Sequence, residues 1–148
     1  MNTRRLIEND LGKLLVLYED LHSSDEPTAK FELLQSTWKE IMCSDRYQYF
    51  GFFINDALLA SCALTVIPNL SRGCKPYGLI ENVVTSAKYR KLGYGKAVLL
   101  QALASAWSAN CYKVMLMTGR KDAAILKFYT SVGFDSDEKH AFVVRPAV

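Results

Sequence analysis

The 148-residue chain is predicted to fold as a mixed α/β protein, a sheet with helices on its faces. Two apolar runs, 47–54 and 57–67, flank the turn dipeptide Asn55-Asp56, a pattern typical of a β-hairpin. Other segments repeat apolar residues at helical spacing, and short β-branched runs lie between them. The resulting order is β-α-α-β-β-β-α-β-α-β.

The composition fits one folded domain over residues 1–148. Half of the residues are apolar and 22% are charged, which excludes a disordered or fibrous chain. Surface scaling gives roughly 69% burial on folding, enough for a core without disulfides or metals. The net charge of +3 is too small to indicate nucleic-acid binding, so no such partner is expected.

The four cysteines, Cys43, Cys62, Cys74 and Cys111, form no C-x-x-C pair and no Cys/His cluster. We therefore expect no metal site. The amino terminus lacks the apolar region of a secretion signal, and Asn55-Asp56 interrupts the most apolar stretch. These features predict a cytoplasmic protein without a membrane partner.

The first elements follow from periodicity and capping. A short strand is expected over Thr3–Ile7, followed by a helix that Asp10 caps and that reaches about Leu21. The segment from His22 to Pro27 is predicted to be a loop. A second helix is expected from Phe31 to Met42, before the hairpin.

The later elements alternate between strands and helices. The sequence predicts a loop over 68–77, strands over Leu79–Val84 and Val114–Thr118, helices over Tyr94–Ala109 and Ala123–Val132, and a last strand over Ala141–Arg145. Gly133 is expected at the C′ position that ends the last helix.

A glycine-rich turn, Arg90-Lys91-Leu92-Gly93-Tyr94-Gly95-Lys96, lies between a predicted strand and a predicted helix. Glycines let the backbone approach a ligand closely, and the helix amino terminus presents free amide N–H groups. With three basic side chains added, a pyrophosphate would suit this turn. The alternative is an ordinary glycine turn with a solvated basic face.

Three ordered motifs resemble one family. These are Tyr77-Gly78-Leu79-Ile80-Glu81-Asn82-Val83-Val84, then Tyr89-Arg90-Lys91-Leu92-Gly93-Tyr94-Gly95-Lys96-Ala97-Val98-Leu99, and then Cys111-Tyr112-Lys113-Val114 with Phe128-Tyr129-x-x-x-Gly133-Phe134. They are similar to the core motifs of the GCN5-related N-acetyltransferase (GNAT) superfamily, over about residues 47 to 145. The resemblance implies a single GNAT domain, with a mixed, mostly antiparallel sheet, a splayed central strand and flanking helices.

The resemblance also implies how acetyl-CoA binds. A bulge would free the main chains of Val83, Val84 and Thr85 for the pantetheine arm, and the turn would hold the pyrophosphate. The alternative for the valines is ordinary buried strand. The implied cofactor contacts are Val83, Val84, Thr85, Arg90, Lys91, Leu92, Gly93, Tyr94, Gly95, Lys96, Asp122 and Tyr129.

Tyr129 matches the tyrosine that family members place near the CoA sulfur, where its phenol is a general acid toward the leaving thiolate. The alternative is a packed helix aromatic. Asp122 stands where the family often has Asn, so it can cap the helix and accept a hydrogen bond but has no amide to donate.

Glu81 is the candidate general base. An attacking amine is mostly protonated at neutral pH, and a carboxylate in the splayed strand could remove that proton directly or through a water. We also expect Glu81 to be buried, which would be costly without a function. The alternative is an ion-paired or cleft-edge glutamate.

Four basic residues in two loops are candidates for binding an anionic group on the acceptor: Arg72, Lys75, Arg120 and Lys121. We expect both loops near the acceptor end of the cleft, where the planar fork of Arg would suit a phosphate or carboxylate. The alternative is that they are solubilising loop charges.

The reaction implied is direct transfer of acetyl from acetyl-CoA to a primary amine of a small molecule, in a ternary complex. A non-catalytic acyl-CoA sensor and a protein N-terminal acetyltransferase are the alternatives, and a homodimer is one assembly left open. The strand around Glu81 is similar to glucosamine-6-phosphate N-acetyltransferases, but Leu116-Met117-Thr118-Gly119 departs from that group. Aminoalkylphosphonate and other small-amine acetyltransferases fit comparably.

Overall fold

The computed structural model describes residues 2–21 and 29–147. The chain divides into two compact units, Met1–Leu116 and Met117–Val148. Each unit is described by itself. The predicted loop from His22 to Pro27 lies outside the described residues.

The first unit contains a five-stranded sheet with the strand order β1-β2-β3-β4-β5. The elements are β1 (Asn2–Arg5), a 3-10 helix (Glu8–Asp10), α1 (Leu11–Tyr18), α2 (Phe31–Met42), β2 (Tyr47–Ile54), β3 (Ala57–Ile67), β4 (Tyr77–Thr85), a second 3-10 helix (Ala87–Tyr89), α3 (Tyr94–Ser108) and β5 (Val114–Leu116). Neighbouring strands are antiparallel except β4 and β5, which are parallel. The predicted mixed, mostly antiparallel sheet is confirmed.

The β2–β3 hairpin forms at the predicted residues. Asn55 and Asp56 both have positive φ angles, of 46° and 66°, and Ile54 pairs with Ala57 across the turn. Two left-handed central residues define a type I′ turn, whose twist matches that of the strands. The chemistry of the dipeptide therefore determines the register beside the turn, and the register shifts once, between Phe52 and Phe53.

Helices cover both faces of this sheet. Phe53 and Tyr49 of β2 pack in a cluster with Leu14 and Leu17 of α1 and with Trp38 of α2. On the alternate residues of the same strand, Phe52 stacks on Tyr94 and Gln48 accepts a hydrogen bond from Ser105, both in α3. Because successive strand residues point to opposite faces, α1 and α2 lie on one face and α3 on the other.

The predicted cap of α1 is wrong. The Asp10 side chain makes no capping bond to α1 and instead accepts two hydrogen bonds from Arg4, at 2.6 and 3.0 Å, and one from the Ile7 N–H at 2.9 Å. Asp10 is only 2% exposed, and the Arg4 guanidinium also lies 4.0 Å from the centroid of the Phe53 ring. This ion pair holds the turn between β1 and α1. The strand spans Asn2–Arg5 and the helix Leu11–Tyr18, so both end earlier than predicted.

In the second unit, α4 spans Ala123–Thr130. Its end confirms the predicted role of Gly133, which has a φ of +106°. The Gly133 N–H bonds the Thr130 carbonyl and the Phe134 N–H bonds the Tyr129 carbonyl, the two bonds of a Schellman motif.

The predicted last strand over Ala141–Arg145 is wrong, because residues 141–147 contain no helix or strand. Phe142 and Val144 are 94% and 95% exposed. An alternating, β-branched sequence becomes a strand only where a neighbouring strand pairs with its backbone, and within the second unit these residues have no such partner.

Candidate functional site

Strand β4 carries a bulge in its second half. Glu81 pairs with Ala63 and Val84 pairs with Ser61, so Asn82 and Val83 together oppose a single residue of β3. Asn82 has a φ of +52°, in the left-handed region. A bulge leaves the extra residue outside the hydrogen-bond ladder. The expected bulge is therefore present, and it frees backbone groups at Asn82 and Val83.

Strands β4 and β5 pair over a short length only. Gly78, Leu79 and Ile80 pair with Val114–Leu116, and from Glu81 onward β4 has no partner in β5, which ends at Leu116. The carboxyl half of β4 is thus paired with β3 on one side and unpaired on the other within the described part of the first unit. An unpaired strand edge presents N–H and C=O groups to a ligand.

The glycine-rich turn comes after β4 in the chain, beyond the short 3-10 helix Ala87–Tyr89. Gly93 has a φ of +86° and Lys91 a φ of +65°, and α3 begins at Tyr94. The first hydrogen bond within α3 runs from the Ala97 N–H to the Gly93 carbonyl, at 3.0 Å. The N–H groups of Tyr94, Gly95 and Lys96 therefore precede the helical ladder, and these groups, together with the helix dipole, attract an anion.

The side chains around the turn leave room for such an anion. A Cβ on Gly93 would meet nothing within 4 Å, and Arg90, Lys91 and Lys96 are exposed. Arg90 Nε also donates to the Thr85 carbonyl at 3.3 Å, which joins the turn to the end of β4. Open space and positive charge are what a pyrophosphate requires, so the chemistry of the turn is compatible with that group.

Glu81 differs from expectation in one respect. It lies at the start of the unpaired half of β4, immediately before the bulge, but its side chain is exposed. The expectation that Glu81 is buried is therefore wrong, and the buried residues nearest to it in β4 are Ile80 and Val84. The position at the open edge remains, and an exposed carboxylate is free to meet an acceptor.

Val84 is more buried than its neighbours. The Val84 side chain packs in the core cluster with Leu14 and Leu17, while Val83 and Thr85 are half-buried. Side-chain packing and backbone contacts to a ligand are compatible here, because a strand uses its side chains and its peptide groups in different directions.

Arg72 and Lys75 lie in the loop before β4. This loop enters β4 at Tyr77, whereas the bulge and the glycine turn lie at the other end of the strand. Arg72 lies over the ring of Tyr112, 5.9 Å from its centroid, next to the point where Gly78 pairs with Val114. Their role in binding the acceptor stays a prediction.

The second unit holds the remaining predicted residues. Asp122 caps α4 by accepting from the Ile125 N–H at 3.1 Å, as its acceptor chemistry predicts, and also pairs with Arg120 at 3.2 Å. Lys121 is exposed. Tyr129 is half-buried, with ring centroids 5.1 Å from Phe128 and 6.3 Å from Phe134. These ring contacts orient Tyr129 within its own unit.

Two of the four cysteines are buried. Burial raises the pKa of Cys62 to about 12 and raises that of Cys111, which disfavours the thiolate. Cys43 and Cys74 are exposed. In residues 2–21 and 29–147, no group of three His, Cys, Asp or Glu side chains could hold a metal ion. No helix among these residues is long and apolar enough to cross a membrane.

Sequence reasoning missed Asp20, which follows α1. Its carboxylate accepts a hydrogen bond at 3.0 Å from the N–H of Ala87, in the segment after β4. No local pattern shows this contact, since Asp20 and Ala87 lie 67 positions apart.

A sheet that opens beside a bulged strand, followed by an anion-binding glycine turn, is the architecture of an acyl-CoA-dependent N-acyltransferase. The model of the acetyltransferase (GNAT) family matches residues 13–134, and the chain belongs to this family. The solved structure described as "Putative acetyltransferase from Agrobacterium tumefaciens str. C58" is 38% identical, with a TM-score of 0.91 and coverage of 99% of this chain and 100% of that one.

Two further relatives carry substrate names. A glucosamine 6-phosphate N-acetyltransferase of Trypanosoma brucei brucei is 35% identical over 82 residues, which are 55% of this chain and 54% of that protein. The match thus spans about half the length of this curated relative. The glucosamine-6-phosphate N-acetyltransferase of Arabidopsis thaliana shares the fold, with 21% identity, a TM-score of 0.83 and 97% coverage of both chains.

Proposed function

We propose that the chain transfers an acetyl group from acetyl-CoA to a primary amine of a small molecule. The observation that carries this proposal is the unpaired, bulged half of β4 leading into the turn at Gly93. Family membership supports the same reaction.

Each part of the first unit has a role in binding the donor. The backbone of Val83, Val84 and Thr85 would hydrogen-bond the pantetheine arm along the open edge, and the amides from Lys91 to Lys96 would hold the pyrophosphate. Arg90, Lys91 and Lys96 add positive charge, which suits the negative charge of the donor. Asp122 accepts hydrogen bonds only, so its predicted contact would be with a donor group of CoA.

The chemical step is direct attack. The amine nitrogen forms a bond to the thioester carbon, the C–S bond breaks, and the sulfur leaves as a thiolate. Glu81 would take the proton that the amine loses, directly or through a water, and Tyr129 would give a proton to the thiolate. The raised pKa of Cys62, caused by burial, supports transfer without an acyl-enzyme.

The acceptor class is an anionic amine, with an amino sugar phosphate as the first candidate. The name of the Trypanosoma brucei brucei relative supports this choice. Arg72, Lys75 and Arg120 would bind the anionic group of the acceptor. The protein is expected to work in the cytoplasm without metal, nucleic acid or membrane, as a monomer or a homodimer.

Isothermal titration with acetyl-CoA, followed by a thiol-release assay over an amine panel, tests the proposal. The panel contains glucosamine 6-phosphate, glucosamine, an aminoalkylphosphonate, an aminoglycoside and a peptide with a free amino terminus. We expect binding and turnover, fastest with a phosphorylated amine. Absence of acetyl-CoA binding overturns the proposal. Binding without turnover would identify a sensor, and turnover confined to the peptide would identify a protein N-terminal acetyltransferase.

A further inference from the structure

An aromatic pair joins the first residue of α3 to strand β2. Phe52 of β2 is buried, and its ring stacks on the ring of Tyr94, with the two centroids 4.2 Å apart and the two planes 15° apart. Tyr94 directly follows Gly93, which has a φ of +86° and ends the glycine-rich turn. The stack therefore lies next to the main-chain groups that the proposed function assigns to the pyrophosphate.

The first turn of α3 offers the sheet one large side chain, that of Tyr94. Gly95 is buried but has no side chain, Lys96 is exposed, and Ala97 is half-buried and contributes a single methyl group. The two glycines at positions 93 and 95 also make the backbone here conformationally permissive. The ring of Tyr94 is thus the side chain that sets where this turn lies against the sheet.

The remainder of α3 is attached to the sheet by contacts farther along the helix. Val98 and Leu99 are fully buried. The Cys62 thiol of β3 donates to the Val98 carbonyl, with the sulfur and oxygen 3.6 Å apart, and Ser105 Oγ donates to Gln48 of β2 at 2.5 Å. These contacts stay in place without the stack, so losing the stack loosens the start of the helix and leaves its body attached.

The position of this helix end decides how well it attracts an anion. The first N–H groups of a helix point toward a ligand beyond its amino terminus, and the helix dipole adds to the attraction. Both effects depend on distance and direction. A helix start that is already held in one position binds an anion more tightly, because less ordering is needed when the ligand arrives.

We infer that Phe52 and the side chain of Tyr94 are positioning residues, which hold the start of α3 in the geometry that binds the pyrophosphate of acyl-CoA. The inference rests on the proposed function, because it assigns the aromatic pair to the donor site. Phe52 is only 8% exposed and acts through Tyr94. Its consequence is that a core residue of β2, outside the predicted donor contacts, contributes to donor affinity.

Four variants test the inference: Phe52→Leu, Tyr94→Leu, the double variant that combines them, and Phe50→Leu as control. Leucine keeps an apolar side chain but has no ring to stack. Phe50 is buried like Phe52, lies two positions earlier in β2 and therefore points to the same face of the sheet. Phe50→Leu thus removes a buried ring of the same kind and leaves the stack with Tyr94 intact.

The measurements are the Kd of acetyl-CoA, the inhibition constant of pantetheine, which lacks the pyrophosphate, and the unfolding midpoint. We expect Phe52→Leu and Tyr94→Leu each to raise the Kd about three- to tenfold, the effect of losing one stacked aromatic pair. The double variant should raise the Kd no further, because either substitution already removes the stack. The affinity for pantetheine should stay within about twofold of wild type, since the ordered turn is not used.

Phe50→Leu is expected to lower the unfolding midpoint, as a smaller side chain in the core does, and to leave the Kd of acetyl-CoA within about twofold of wild type. A loss of donor affinity equal to that of Phe52→Leu would overturn the inference, since core packing in general would then explain both effects.

The other outcomes separate the inference from the proposed function. A wild-type protein that binds no acetyl-CoA overturns the proposed function, and this inference with it. If the wild type binds, unchanged affinity in folded Phe52→Leu and Tyr94→Leu proteins overturns the inference alone. A double variant whose loss is the product of the two single losses, or an equal loss of pantetheine affinity, also overturns it. Tyr94→Leu, at a half-buried position, carries the test if Phe52→Leu does not fold.

Discussion

The ring of Tyr94, the first residue of α3, stacks on the ring of Phe52 in β2, with centroids 4.2 Å apart and planes 15° apart. Stacked aromatic pairs contribute about 0.5–1.5 kcal/mol beyond their burial. This contact fixes the start of α3 against the sheet, just after the glycine turn. The Tyr94 side chain therefore orients the helix amino terminus, and only its backbone N–H is left for a ligand.

The first prediction concerns Gly93. Gly93→Val is expected to weaken acetyl-CoA binding at least tenfold, because a β-branched residue is strained at a φ of +86° and the turn must relax away from its ligand-binding shape. A Cβ there meets no protein atom within 4 Å, so the fold should survive. Titration calorimetry measures the affinity, and circular dichroism the fold.

Two substitutions serve as controls for Gly93. Gly12→Val also adds a side chain in open space, but at a position with ordinary φ, and should leave affinity unchanged. Gly93→Asn should retain most of the affinity, because Asn tolerates the left-handed region. Equal affinity of a folded Gly93→Val protein would remove the turn from the donor site.

The second prediction is that Glu81→Gln slows transfer mainly at pH values where the amine is protonated. The variant has no carboxylate to accept the proton, so kcat/KM for the amine should fall about 10²-fold near pH 7 and recover toward pH 10. Acetyl-CoA affinity should be unchanged, and a pH–rate profile measures the effect. An unaltered profile would leave Glu81 an exposed edge residue without a catalytic role.

The third prediction is that Tyr129→Phe lowers kcat about 10- to 100-fold with little change in acetyl-CoA affinity, because only the proton donor is lost. Its ring contacts with Phe128 and Phe134 remain, so the variant should fold. Tyr112→Phe removes the same hydroxyl group at the amino end of β5 and serves as the control. Matching rates for both variants would assign Tyr129 to packing.

The fourth prediction concerns stability. Asp10→Ala is expected to reduce the free energy of unfolding by about 2–3 kcal/mol, because it leaves Arg4 without its partner. This loss of stability is smaller than the loss expected for a fully buried ion pair, because the Arg4 side chain is 33% exposed. Urea unfolding measures the loss. Asp45→Ala, which breaks the exposed contact with Arg5 at 3.9 Å, should lie within error of wild type.

The ion pair between Arg4 and Asp10 also makes the free energy of unfolding depend on pH. The hydrogen bonds from Arg4 lower the pKa of Asp10 below its ordinary value near 3.8, so the unfolded chain binds more protons than the folded one around that value. The stabilisation is complete above the unfolded pKa and is lost as the pH falls through the folded pKa. The difference between wild type and Asp10→Ala should therefore shrink below about pH 4. A difference that stays constant to pH 2 would contradict this.

The elements that the sequence predicts well are those with local causes. The Asn55-Asp56 turn needs only two residues that tolerate positive φ, and the Gly133 helix end needs only a glycine at C′. Asp10 shows where local reasoning failed. A carboxylate before an apolar helix predicts a cap, yet Arg4 competes successfully for it because two charge-assisted hydrogen bonds outweigh a single bond to the backbone.

The motifs also predicted the site in part. They located the glycine turn and, through the family resemblance, the bulge in β4. They did not give the exposure of Glu81, because exposure depends on which parts of the folded chain cover a strand residue.

The chain on its own, through spacing and turn chemistry, specifies most of the helices and strands, where the hairpin turns and where a glycine-rich turn lies, since these depend on residues within a few positions of one another. The bond between Asp20 and Ala87 and the stack of Phe52 on Tyr94 arise only in the folded molecule. Their partners are tens of residues apart, and packing brings them within bonding distance. The predicted strand at Ala141–Arg145 is absent for a related reason. A strand forms only where a second strand pairs with its backbone, and the sequence of the segment does not specify that partner.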